Sequence, residues 1–277
     1  MFETINETIL MKNKSVLLIP HYNNLIGLKK SINSIGANEK IDVLIIDDGS
    51  VAEQIPNKES FEYTSGELIV LKSNTNKGIE NALNIGIEYI MHKNHYKYIA
   101  RLDAGDICKD DRFYKQETFL ENNKDIYLIG SHVDFIDNTG KYKYTYKVPL
   151  HHKKIKRNMF LKNSFIHSSV MYKTDVFNLE YYPVKYKYTE DYALFYRIIN
   201  NHTTANFDEV LTSTELSKTS ISYKKRRIQL INRLRLSLKN ISFNPYFFYG
   251  TIRILILLIV PNSVNQFFKL KYYNISQ

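Results

Sequence analysis

The 277-residue chain has no tryptophan, a single cysteine (Cys108), six prolines and ten glycines. One cysteine excludes an intramolecular disulfide framework and fits a reducing compartment. No G-x-G-x-x-G follows the first apolar run, which removes a Rossmann dehydrogenase, and no glycine-rich phosphate loop supports a nucleotidyltransferase. The opening MFETINETILMKNK is mixed and polar, without the pattern of a secretory signal, so the expected location is cytoplasmic. Long apolar runs are also missing. The stretch Ile254–Pro261 falls far short of the ~20 residues that span a bilayer. Acidic residues are absent from Ser217 onward while lysines and arginines abound, so the net charge of +10 is unevenly placed. Such a basic segment marks either an anionic partner or a solvated helix face.

What is present argues for a folded chain. Hydrophobic residues make up 44% and charged residues 24%, which is enough for a sizeable core. SVLLIP (15–20), IDVLII (41–46), ELIVLK (67–72) and KYIARLD (97–103) are short apolar runs with polar ends, the signature of buried strands. Helical spacing separates them: Leu25, Leu28, Ile32 and Ile35 in the first case, Ile79, Leu83, Ile87 and Ile90 in the second. DRFYKQETFLEN (111–122) predicts a third helix. Strands alternating with helices predict βαβ units and a mostly parallel sheet. PHYNN, DDGS and LDAGD each follow a strand, so they are expected to meet at the carboxyl edge, where open α/β sheets bind ligands.

After residue 125 the pattern changes. IYLIGSHVDFID and KYKYTYKV predict antiparallel strands, HHKKIKRNMFL a helix, and SSVMYK another strand. TEDYALFYRIINN predicts a helix with Tyr192, Phe195, Ile198 and Ile199 inward. Residues 1–215 are expected to form one domain, and 216–277 a basic, amphipathic helical region. Within the latter, SYKKRRIQLINRLRLSLKN (222–240) predicts a helix with Ile228, Ile231, Leu234 and Leu238 on one side. The aromatic and apolar segment behind it suits the surface of an anionic membrane better than a span across it.

Read as chemistry, the strand ends carry the parts of a nucleotide site. Tyr22 offers an aromatic face, and Asp48 can accept from a pyrimidine N–H. Lys77 opens a helix whose free amides favour anions. Arg101 allows two readings, a neighbour of a bound ligand or a structural ion pair. Four aspartates crowd Asp103 to Asp111 around Gly105, which calls for a cation or substrate to absorb the charge.

VLLIPHYNN, VLIIDDGS, NKGIENALNIGIEYI, YIARLDAGDICKDDRF and HSSVMYKTDVF with YTEDYALFYRI together resemble glycosyltransferase family 2 over about residues 14 to 215. The resemblance implies an inverting, GT-A-type enzyme: a Rossmann-like mixed sheet flanked by helices, taking a nucleotide-sugar donor, expected to be UDP-linked. It assigns the nucleotide to Pro20, Tyr22 and Asp48, with Asn76, Lys77, Arg101 and Asp103 near the donor. It implies Mn²⁺ or Mg²⁺ at a DxD-like run, here Asp103-Ala104-Gly105-Asp106, in which glycine replaces the usual second carboxylate. Asp103 is then the first metal contact, and Asp106 is a displaced ligand or a turn cap. His167 is a further metal or phosphate contact, or a structural histidine. Asp110 and Asp111 are expected to cap the following helix. The family's ED pair corresponds to Glu190-Asp191, with Asp191 as general base and Glu190 toward the acceptor. The implied acceptor is a glycan or lipid-linked glycan of a bacterial surface polysaccharide or lipooligosaccharide, reached at the inner membrane face. A family member that binds donor without turnover is the rival. A nucleic-acid-binding protein would explain the basic segment but not the aspartates, so no nucleic acid is expected.

Overall fold

The computed structural model describes residues 12–109, 111–178, 180–216, 221–261 and 264, the side chains of residues 221 and 222 excepted. The expected cap at Asp110 and the stretch beyond residue 264 lie outside the described residues. The first apolar runs form parallel strands β1 (Ser15–His21), β2 (Asp42–Asp47), β3 (Leu68–Lys72) and β4 (Tyr98–Arg101), in the order β3-β2-β1-β4. In β1, Val16 and Leu18 enter one core cluster while Leu17 and Ile19 enter another on the opposite face. Side chains alternate across a strand, so an unbroken apolar run is what a sheet covered on both faces requires. Helix α2 (Ile79–Lys93) buries Leu83, Ile87 and Ile90 in the first cluster. Helices α1 (Leu25–Asn33) and α3 (Arg112–Asn122) contribute Leu28, Ile32, Phe113 and Leu120 to the second. Each such side chain contributes roughly 1.5–3 kcal/mol on burial.

Beyond β4 the sheet becomes mixed. The short β5 (Ile107–Cys108) ends one edge, and β6 (Ile126–Ile136) pairs antiparallel with β7 (Tyr142–Tyr146). Strand β8 (Met171–Lys173) lies antiparallel between β4 and β6. Strand β9 (Thr203–Glu215) runs parallel to β6. The predicted strands omit β9. Its inward positions include Thr204, Asn206, Thr212 and Ser213, all buried, so polar residues stand where apolar alternation would reveal a strand. Helices α4 (His152–Met159) and α5 (Glu190–Asn201) complete the face carrying α2, and the expected apolar face of α5 is buried as predicted.

Two local expectations are corrected. Asp111 stands at the N-cap of α3 but has a left-handed backbone and makes no side-chain cap. The capping carboxylate is that of Glu39, which accepts from the amides of Phe113 and Tyr114, both at 2.9 Å. The basic segment is also two helices, α6 (Ile221–Lys224) and α7 (Arg226–Lys239), divided at Lys225. On the apolar side expected of α7, Ile228 and Leu238 are exposed and Ile231 and Leu234 half-buried, whereas Leu230, Asn232 and Leu236 are buried. Helix α8 (Pro245–Ile259) follows, with Pro245 in its first turn and the Asn244 side chain accepting from the Tyr246 amide. No helix among the described residues is long and apolar enough to cross a membrane.

Candidate active site

Parallel register brings the three polar strand ends together. His21 ends β1 opposite Asp47 of β2, and its Nδ1 lies 2.8 Å from Asp47 Oδ1. The Asn24 amide donates to His21 Nε2, so the Nδ1 proton faces Asp47. Ser50 Oγ also donates to Asp47 (2.6 Å), and Asn23 exchanges hydrogen bonds with Ser50 and Val51. The PHYNN and DDGS turns are thereby one unit. Asn24 Nδ2 donates to Ala104 O, and Ser31 Oγ engages the carbonyls of Asp103 and Asp106, which adds LDAGD to it. His21, Asp47, Ser50, Asn24 and Ser31 escaped the reading of the sequence. Only the register that opposes His21 to Asp47 would have singled them out.

On this platform Pro20 lies within β1 opposite Ile46, and the Tyr22 ring is 50% exposed just beyond it. Asp48 is buried, and its two oxygens accept the amides of Lys77 (2.9 Å) and Gly78 (2.8 Å). The anion at the start of α2 is therefore Asp48 itself, and Asn76-Lys77 is tied to the DDGS turn. Gly49 (φ +74°) permits this, because a Cβ there would fall within 2.5 Å of the Thr75 backbone.

Arg101 is fully buried. Its guanidinium donates to the carbonyls of Leu18 and Leu102, to Asp103 Oδ1 (2.7 Å) and to His167 Nε2 (3.3 Å). The ion pair of the two readings is present, and through it Arg101 holds the Asp103 carboxylate, which is 43% exposed. His167 also meets the Tyr182 hydroxyl at 2.8 Å. Burial, aided by the Arg101 charge, drives its pKa well below the usual histidine value, so it is neutral. Gly105 (φ +114°) makes the turn after Asp103. A Cβ there would meet only Asn24 at 3.7 Å, so backbone conformation and not space calls for glycine.

Asp106 points inward. It is buried, accepts from Thr214 Oγ1 (3.0 Å) and is hydrogen-bonded to Ser168. Burial and the Asp103 charge push its carboxyl up to about 7. Asp103, Asp106 and His167 do not converge. Among the described residues no three His, Cys, Asp or Glu side chains are gathered for a metal. Asp103 fits a hard cation as a single oxygen ligand and needs other ligands to complete the set.

Across the opening, Glu190 and Asp191 start α5. Asp191 Oδ2 accepts from Asn163 Nδ2 at 3.0 Å. Burial raises the Asp191 carboxyl to about 6; Asp103 adds to this, whereas the Tyr192 amide and Arg233 oppose it. Glu190 is more deeply buried, and burial together with the Asp191 charge raises it to about 8. Both carboxyls of the pair are therefore held above the ordinary carboxylate range, chiefly by burial. Two buried oxygens, Glu80 Oε2 and Glu190 Oε2, have no hydrogen-bond partner. Glu80, Asn163 and Arg233 were not among the candidates read from the sequence.

The mixed sheet flanked by helices, with its parallel half β3-β2-β1-β4, is a GT-A-type Rossmann-like fold. The chain belongs to the family described as glycosyl transferase family 2, whose sequence model matches residues 16–179. It is a glycosyltransferase. It is 30% identical over 234 residues to the amylovoran biosynthesis glycosyltransferase AmsE of Erwinia amylovora, covering 82% of this chain and 85% of that one. It is 28% identical over 263 residues, 82% of this chain and 91% of the other, to an Escherichia coli UDP-Gal:alpha-D-GlcNAc-diphosphoundecaprenol beta-1,3-galactosyltransferase. Among solved structures, S. aureus TarS 1-349 in complex with UDP-GlcNAc superposes with a TM-score of 0.64 at 14% identity, over 87% of this chain and 71% of that one.

The buried Asp106 sets a pH dependence of stability. Its folded pKa lies above that of an unfolded aspartate, so its contribution is complete at low pH and is lost as pH rises through about 7. Asp106→Asn should remove this loss and gain on the wild type by up to about 1.4 kcal/mol per pH unit between pH 4 and 7. Denaturant titrations of both proteins across that range test this. Parallel stability curves would show that Asp106 is not buried as an uncompensated acid.

Proposed function

We propose that the enzyme transfers a sugar with inversion from a UDP-linked donor to a glycan or lipid-linked acceptor in bacterial surface-polysaccharide synthesis. The observation that carries this is that the Asp103 charge, at the end of β4, is felt by both carboxyls of the Glu190-Asp191 pair at the start of α5. The uracil stacks on Tyr22, and the DDGS turn with Asp48 borders its polar edge. Asp191 takes the proton from the acceptor hydroxyl. The acceptor oxygen bonds to the anomeric carbon from the face opposite the nucleotide, and the bond to the UDP oxygen breaks with its electron pair leaving on UDP. Glu190, carrying a proton, can donate a hydrogen bond to the acceptor.

Asp103 would hold Mn²⁺ or Mg²⁺ only together with the diphosphate, whose oxygens complete the coordination. The bound metal supplies neutralisation of the charge that grows on the departing diphosphate. The AmsE and galactosyltransferase resemblances support the polysaccharide and diphosphate-lipid context.

The same reading places the enzyme as a peripheral protein on the cytoplasmic face of an anionic membrane. Phe248, Ile252, Leu255, Ile256 and Ile259 of α8 are exposed, as is Phe243 (94%) before it. Beside them lies a cleft of about 590 Å³ lined by His152, Lys153, Lys156 and Arg157 of α4. Apolar surface next to clustered cations suits an anionic bilayer.

Three experiments test the proposal. Calorimetric titration of UDP, with and without Mn²⁺, should show that each tightens the other by the same factor. Asp103→Ala should erase that coupling. Asp191→Asn should leave it intact while reducing transfer by about 10²–10⁴-fold. Equal UDP affinity in EDTA and Mn²⁺ would remove the metal, and normal transfer by Asp191→Asn would remove the base. Flotation with vesicles containing phosphatidylglycerol should carry the protein up, with high salt reversing this only in part. Absence from the floated fraction would refute membrane attachment.

A further inference from the structure

Helix α7 presents an unusual inward face. Gln229, Asn232, Arg233 and Leu236 recur at the i, i+3, i+4, i+7 spacing of one helix side. Leu236 joins the core cluster beneath α5. The three polar residues reach backbone carbonyls of the enzyme domain: Gln229 Nε2 donates to Tyr188 O (2.8 Å), Asn232 Nδ2 to Lys187 O (2.9 Å), and Arg233 to Leu161 O (2.9 Å). The Arg233 guanidinium also lies over the Tyr192 ring, 4.6 Å from its centroid.

These carbonyls sit on the two segments that flank Asp191. Residues 187–189 form the turn leading into Glu190-Asp191, and Tyr188 in that turn has a left-handed backbone (φ +64°). A non-glycine residue held there costs free energy and persists when its surroundings enforce it; the bond from Gln229 lands on this residue. Leu161 precedes Asn163, the residue that donates to Asp191 Oδ2. Its carbonyl also accepts from Arg253 of α8 at 2.7 Å. The Arg233 Nε is buried without a hydrogen-bond partner. Its charge acts on the Asp191 carboxyl and favours the ionised form.

We infer that α7 is a structural wall of the active site and that Arg233 is a positioning residue for Asp191. It works through the Leu161–Asn163 segment, while Gln229 and Asn232 hold the 187–189 turn. The basic segment, for which composition left an anionic partner or a solvated helix face, thus also docks on the rest of the enzyme through these residues. The functional half of the inference rests on the reading of Asp191 as base; the docking of the turn does not.

Two measurements keep these apart. In the full chain, hydrogen–deuterium exchange of residues 187–192 should quicken at least about tenfold in the Gln229→Ala/Asn232→Ala double variant. Strands β1 and β4 should remain protected to the same extent as in the wild type. Unchanged exchange at 187–192 overturns the clamp, whatever the enzyme's activity. For Arg233, Arg233→Met should lower kcat by about 10-fold to 100-fold, the scale of a displaced catalytic group. UDP affinity should stay within about twofold, because the donor edge is untouched. Arg233→Lys should recover most of the loss. Equal loss in both variants, or a loss matched by weaker UDP binding, would mean a general structural role and overturn the positioning assignment. If the wild type itself shows no transfer, the general-base reading fails, while the exchange result still decides the clamp.

Discussion

The buried guanidinium of Arg101 is the constraint around which the site is arranged. Removing such a charge from water is costly unless it is paired and hydrogen-bonded. Here the cost is offset by the carbonyls of Leu18 and Leu102, by Asp103 and by His167. Those partners lie on β1, at the end of β4 and on the segment before β8. One side chain therefore fixes the distance between the central strands and the direction of the Asp103 carboxylate. A second buried arginine, Arg112 of α3, donates to the carbonyl of Arg101 itself at 2.7 Å and extends the same network to the opposite face of the sheet.

The electrostatics of the opening follow from that arrangement. The Asp103 charge raises Asp106, Glu190 and Asp191, each of which burial has already raised. His167 stays neutral beside Arg101 and does not relieve this excess. For an opening biased against its own negative charge, the cation proposed to be held jointly by Asp103 and the ligand would supply the positive charge that a diphosphate needs. The same bias raises both carboxyls of the Glu190-Asp191 pair above the ordinary carboxylate range, the range in which a proposed acid–base pair can work.

Much of this was legible in the sequence because the physics was local. Unbroken apolar runs disclosed strands buried on both faces, and the polar groups closing them disclosed which loops share the carboxyl edge. The motifs put forward Tyr22, Asp48, Asp103 and the Glu190-Asp191 pair as the candidate site on which the proposed function rests. Features that depend on distant partners were not legible. Glu39 caps a helix more than seventy residues away, Asp48 spends its carboxylate on the start of α2, and β9 hides its alternation behind buried threonine, serine and asparagine. The docked side of helix α7 was hidden for the same reason, because hydrogen bonds from Gln229, Asn232 and Arg233 to distant carbonyls set it.

The central claim is that one base, Asp191, delivers the acceptor from the side of the sugar opposite the nucleotide. The configuration of the new glycosidic bond reports this directly. NMR of the product formed from a UDP-α-linked donor should show the anomeric proton coupling of a β-linkage, the inverted outcome. A product that keeps the α-configuration would contradict the single-displacement geometry and the role given to Asp191.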